Sequence, residues 1–250
     1  MERKIRVAAV QYLNTKPLIY GFEQGMMKAE IELITDYPAS IADMLIQGEV
    51  DLALVPVATI PLLKSYYIIS NYCIGCNGEV ASVCLFSDVP INEIETILMD
   101  YQSRSSVGLL KILLKEYWKI NPALVNAENG YEENIKNKTA GLVIGDRAFA
   151  QRKKCKYIYD LGTAWKAHTE LPFMFAAWIS TIKIEDNFIE KFNEANALGF
   201  SNLHTIIDNN ICKDYDLKKY YTENISYKMD YEKRFALKLY LEKLKLVDGQ

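Results

Sequence analysis

Five segments, apolar runs alternating with helical patterns, fill the first 57 residues, and this alternation constrains the fold more than any other feature of the chain. Residues 5–11 read as a strand, 17–25 as a short helix whose Pro17 suits a first turn, and 31–37 as a second strand. Over 40–47, Ile41, Met44 and Leu45 share one helical face, and Gly48 supplies a C-terminal stop. Residues 51–57 are almost wholly apolar, the pattern of a strand whose sheet is covered on both faces. A β-α-β-α-β order predicts a parallel sheet with helices on both sides, and hence an α/β fold.

A long extended stretch over 67–89 then leads into a second unit. That unit reads as a strand at 96–99, a helix at 105–118 and strands at 124–127, 141–144 and 156–159. A further apolar run covers 173–182, after Leu171-Pro172. The end of the chain reads as helical, without strands of its own. Phe188, Phe192, Ala195, Gly199, Leu203 and Ile206 step by three or four, and Tyr231, Phe235, Leu239 and Leu244 mark a last helix. Two α/β units, two extended crossings and a returning tail make the layout of a type II periplasmic-binding-protein-like fold. Leu45-x-x-Gly48-x-x-Asp51-Leu52-Ala53 resembles a recurring signature of it. The expected lobes are 1–85 with 185–250, and 86–184, with a ligand cleft between them.

Composition narrows the partners. A chain of 250 residues, half of them hydrophobic, can bury a core without staples. Its net charge of -3 argues against nucleic acid, whose partners carry a basic surplus. No apolar run reaches the roughly 18 residues that span a bilayer, and the start from Met1 lacks the long apolar core of a secretory signal. The expectation is a cytoplasmic protein with a small-molecule ligand, no nucleic acid and no membrane; oligomeric state is not readable. Five cysteines read as reduced thiols. Cys73 and Cys76 have C-x-x-C spacing but lie in a strand, where i and i+3 face opposite ways, so the pair reads as structural.

Ligands of open α/β sheets lie beyond the carboxyl ends of the strands. Those ends carry Tyr12, Asn14 and Thr15 after the first strand, Val57 after the third, and Gly145 and Asp146 after the strand at 141–144. The crossings add Gly78 and Ser82. Ser103, Arg104, Ser105 and Ser106 follow a strand and open an apolar helix, whose N-terminus offers unpaired N–H groups to an anion. The plain alternative is a helix cap with a solvated arginine. Asn14 and Asp146 also suit ordinary turns. His168 lies near a crossing, and His204 lies in the amphipathic helix. No glycine-rich phosphate loop, H-E-x-x-H or G-x-S-x-G occurs, and no metal-ligand cluster is visible. A site of neutral donors with one or two cations is expected, with no cofactor and no metal.

Gln11-Tyr12-Leu13-Asn14-Thr15-Lys16-Pro17-Leu18 resembles the opening of chorismate dehydratases, enzymes of the futalosine route of menaquinone biosynthesis. Stretches 51–57, 82–87, 100–109, 142–146 and 171–173 match as well, so the resemblance spans nearly the whole chain. It implies a type II binding-protein fold and cofactor-free conversion of chorismate to 3-[(1-carboxyvinyl)oxy]benzoate and water. It also implies catalytic roles for an asparagine in the first loop and a serine on the crossing, which map onto Asn14 and Ser82. Tyr12, Thr15, Val57, Gly78, Ser103, Arg104, Ser105, Ser106, Gly145 and Asp146 make up the expected substrate-binding set. Gln11 departs from a frequent serine, and Gly78-Glu79-Val80 from Gly-Pro-Val. The position of His168 is not a histidine in the family pattern, so His168 is not expected to be catalytic. The alternatives are the dihydroxynaphthoate-forming enzyme of the same route and a non-catalytic binding protein for a small carboxylate.

Overall fold

The computed structural model describes residues 3–248, so Met1, Glu2 and residues 249–250 of the expected first lobe lie outside the described residues. Chain order is β1 (Ile5–Val10), α1 (Lys16–Glu23), β2 (Ile31–Asp36), α2 (Pro38–Gln47), β3 (Leu52–Pro56), β4 (Tyr67–Cys76), β5 (Val83–Ser87), β6 (Thr96–Met99), α3 (Ser105–Leu113) and β7 (Ala123–Asn126). Then come β8 (Thr139–Ile144), α4 (Arg147–Gln151), β9 (Tyr157–Asp160), α5 (Leu161–Thr169), β10 (Phe173–Ser180), α6 (Asp186–Ser201), α7 (Leu203–Asn209), α8 (Leu217–Lys219), β11 (Ser226–Lys228) and α9 (Tyr231–Asp248).

The strands form two sheets, ordered β11-β4-β10-β3-β1-β2 and β7-β6-β8-β5-β9. β1 pairs in parallel with both β2 and β3, as the opening alternation predicts. β10 pairs antiparallel with β3 and β4, so the first sheet is mixed. All five residues of β3 are buried, because strands flank it on both sides and helix α2 packs against it. Asp51, just before β3, is buried and accepts hydrogen bonds from Arg6 N (2.9 Å) and Arg3 Nη2 (2.8 Å). Burial alone would raise its carboxyl; the arginine bonds hold it below the usual range.

The chain passes to the second sheet between Cys76 and Val83 and returns between Asp160 and Phe173. Expected lobe boundaries at 85/86 and 184/185 therefore fall beyond these crossings: β5 belongs to the second sheet and β10 to the first. An apolar run identifies a strand but not the sheet that takes it. The tail does contain a strand, β11, on the edge of the first sheet beside β4. Along α9 the expected face is corrected: Tyr231 and Phe235 are exposed, while Ala236, Leu237, Tyr240 and Leu244 are buried. This helix packs on both α3 and β10, and so joins the two lobes. The 188–206 stretch breaks at Asn202 into α6 and α7. α6 lies so close to α1 that a Cβ on Gly199 would stand 1.8 Å from the Pro17 carbonyl oxygen.

Cys73 and Cys76 are both buried in β4, whose last residues are covered on both faces. Burial pushes the Cys73 thiol up to about 12, and Cys76 higher still, which leaves both protonated and inert. Among the described residues no helix is long and apolar enough to cross a membrane.

Candidate active site in the interlobe cleft

The carboxyl ends of β1, β3 and β8, the start of α3 and the first crossing converge on a cavity between the sheets. Tyr12, Asn14, Ser82, Ser103, Ser105, Ser106 and Gly145 line it, so the structure brings together seven of the twelve residues expected from sequence. Val10, Pro38, Pro56, Ile74, Val80, Phe175 and Ala176 form an apolar wall. These wall residues carry no chemical signature in the sequence. Their places follow only from strand pairing, which sets Ala176 opposite Pro56. No charged side chain among the described residues lines the cavity.

Each polar group has a defined task. The Ser103 hydroxyl accepts from Ser106 N (3.1 Å) and caps the first turn of α3. Ser105 Oγ donates to Phe175 O (2.9 Å) and accepts from Ala58 N (3.2 Å), which ties α3 to the other lobe. The Ser106 hydroxyl has no hydrogen-bond partner among the described residues and stands at the N-terminus of a nine-residue helix. Tyr12 Oη donates to Gln102 Oε1, which also accepts from Arg147 Nη2 (3.3 Å). Behind them Arg147 pairs with buried Asp100 (2.7 Å) and with Glu132 (2.7 Å). Burial raises the Asp100 carboxyl, and the guanidinium opposes that rise.

The first crossing is held rigidly where it reaches the cavity. Ala81 adopts φ +65°, a left-handed conformation unusual for alanine. Asp160 accepts from Ala81 N (2.8 Å) and Val80 N (3.1 Å) and so fixes that turn. Ser82 follows directly, its carbonyl accepting from Gly145 N (2.9 Å). Its hydroxyl accepts from Tyr220 Oη (2.7 Å). Sequence reading missed Tyr220, which lies in the tail far from any strand end. Asn14 is anchored through its carbonyl by Tyr227 Oη (2.9 Å).

Five expected residues do not line the cavity, each for a visible reason. Arg104 turns outward and pairs with Asp43 (2.6 Å), a clasp across the cleft rim. Thr15 is fully buried, and its hydroxyl reaches only Asn14 Oδ1 (3.4 Å). Val57 is core. Gly78, at φ +122°, turns the crossing before it reaches the cleft, and its carbonyl packs where a Gly162 Cβ would stand. Asp146 accepts from Leu13 N (3.2 Å), bridging the lobes, and burial pushes its carboxyl up to about 6. Gly145 does line the cavity at φ +64°, where a Cβ would stand 2.9 Å from the Tyr12 ring. His168 lies elsewhere, with Nε2 3.1 Å from Glu116 Oε2. Among the described residues no group of three or more His, Cys, Asp or Glu is placed to hold a metal ion.

A family model described as menaquinone biosynthesis matches residues 5–245. The chain is 27% identical over 262 residues to a protein of Thermus thermophilus named chorismate dehydratase, with 94% of this chain and 93% of that one covered. Among solved structures, a protein from Archaeoglobus fulgidus superposes with TM-score 0.72 at 17% identity, over 98% of both chains. A Candida albicans protein described as having the generic periplasmic binding protein fold gives TM-score 0.62 at 14% identity, over 100% of this chain and 91% of its own. The aliphatic sulphonate binding protein of Escherichia coli gives 0.61 at 14% identity, over 100% and 93%. At these identities the structural likenesses establish the two-lobed periplasmic-binding-protein fold.

Proposed function

The chain belongs to the menaquinone biosynthesis family, and from that premise we propose that it is a chorismate dehydratase, a hydro-lyase that forms 3-[(1-carboxyvinyl)oxy]benzoate and water. The observation that carries this reading is the cleft itself: a largely apolar cavity whose donors are the neutral groups of Asn14, Ser82 and Ser106 and the N-terminus of α3. Such a site suits a flat, anionic ring with two carboxylates. A biosynthetic role that draws on chorismate supports the cytoplasmic location expected from the sequence.

Dehydration removes the hydrogen from the ring carbon bearing the enolpyruvyl ether and expels the neighbouring hydroxyl. The ring double bond passes developing negative charge to the ring carboxylate, and loss of hydroxide then gains aromaticity. Donors fixed at that carboxylate stabilise the charge as an oxyanion hole does. The reaction also needs a base. Among the described residues no ionisable carboxylate, imidazole or amine lines the cavity, and His168 is bonded to Glu116 outside it. We therefore assign the proton to the substrate's own enolpyruvyl carboxylate, folded over the ring by Asn14 and Ser82. Orientation of this kind supplies several kcal/mol of the barrier, on the order of 7–11 at best. The test is incubation of purified protein with chorismate, followed by chromatography and mass measurement of the product. Conversion to the aromatic ether, unaffected by chelator, is the expected result; unchanged chorismate or another product overturns the reading.

A further inference from the structure

We propose that Tyr220 is a positioning residue that turns the hydroxyl proton of Ser82 into the cleft. The inference rests on the proposed dehydratase reading for its kinetic consequence, but the geometry stands by itself. Tyr220 is completely buried, and its ring is boxed in by Phe149 (centroids 4.9 Å apart), Tyr215 (6.2 Å) and Tyr221 (5.7 Å). It begins a wide helical turn over Tyr220–Asn224, an irregularity that in helices often accompanies functional sites. From this box the phenol reaches Ser82 Oγ at 2.7 Å, across 138 residues of sequence.

Chemistry fixes the direction of that hydrogen bond. A phenol is a far stronger acid than an aliphatic hydroxyl, and so the better donor. If Ser82 donated instead, the buried Tyr220 proton would need another partner, and no other hydrogen bond of Tyr220 Oη is found among the described residues. With Tyr220 as donor, one lone pair of Ser82 is occupied and its own proton is free to point to the cavity that Ser82 lines. There it meets a carboxylate acceptor on the ligand. A serine free to rotate would present a lone pair to an anion in part of its states; Tyr220 removes those states.

The experiment is Tyr220→Phe in the full chain, which keeps the ring and deletes only the hydroxyl. On chorismate, kcat falls by roughly 10- to 100-fold while KM stays within about threefold. In the Tyr220→Phe background, Ser82→Ala adds less than about threefold, because the two changes break one interaction. Tyr215→Phe, in the same aromatic box, leaves kcat unchanged. An unchanged kcat in Tyr220→Phe, a loss in KM alone, or multiplicative effects of the two substitutions overturns the proposal. A readout independent of turnover is the NMR signal of the Tyr220 ring carbon bonded to oxygen, in protein labelled at that carbon. It shifts in Ser82→Ala and holds its place in Ser103→Ala; an unmoved signal overturns the proposal even if Tyr220→Phe does not fold. If wild-type protein leaves chorismate unchanged, the dehydratase reading fails, and the NMR result still decides the role of Tyr220.

Discussion

Ser106 is the residue of the 103–106 stretch whose side chain remains for a ligand, since Ser103 caps the helix, Arg104 clasps Asp43 and Ser105 ties the lobes. Ser106→Ala should weaken binding of substrate or product by about 1–2 kcal/mol, the worth of one charge-assisted hydrogen bond, read by titration with product. Unchanged affinity would return the stretch to a plain helix cap. Asn14→Ala and Ser82→Ala should lower kcat more than they raise KM, because their work is positioning in the transition state. His168→Ala should keep most activity; a folded His168→Ala protein without turnover would make the imidazole the base. At this scale sequence located the polar half of the site but not the direction of each side chain. Arg104 and Ser106 look equally available in a list of letters. Asp43, which takes Arg104 out of the cleft, comes from another element.

Elements were more legible than side chains, because burial of alternating or helical faces is written locally. β6 matches its expected range of 96–99, and β1, β2 and β3 end within a residue of theirs. Helices α4 and α5 escaped notice: one is five residues long, and the other follows β9 with no intervening turn. α9 misled because its exposed Tyr231 and Phe235 are as apolar as its buried face. One junction between elements carries a pH signature. The end of β8 holds Asp146 against Leu13 N, after β1, and burial lifts its carboxyl from the ordinary 3.8 to about 6. The folded chain thus keeps a proton that the unfolded chain gives up, so this group's effect on stability worsens as pH rises from about 4 to 6 and is complete above that. Asp146→Asn, which still accepts from Leu13 N, should raise the unfolding free energy at pH 7.5 by about 1–2 kcal/mol, with little gain at pH 4. Urea melts at the two pH values check this, and an equal gain at both would remove Asp146 as the source.

At the scale of the whole molecule, contacts from Tyr12 to Gln102, Leu13 to Asp146 and Arg104 to Asp43 all cross the cleft and hold the lobes together. The chain passes between sheets at 77–82 and 161–172, and bending should concentrate at 77–79 and 170–172, outside the Asp160-braced turn and helix α5. Small-angle scattering should show the free protein more expanded than the product-bound one; identical profiles would mean a rigid cleft. The two-lobed architecture was legible because its opening alternation and its two extended stretches are long-range patterns. The bracing of both lobes by α9 was not, since packing partners of a helix leave no mark on its own sequence. The uncharged lining of the cavity has a further consequence, for ionic strength. A dicarboxylate approaching a chain of net charge -3 gains no overall attraction, and inside a lining without charged side chains it would be held by dipoles. Substrate capture should therefore be slow for so charged a ligand yet nearly indifferent to sodium chloride, with kcat/KM changing by less than about threefold between 50 and 500 mM salt. A steep fall would reveal a cation that swings into the cleft only when the lobes part.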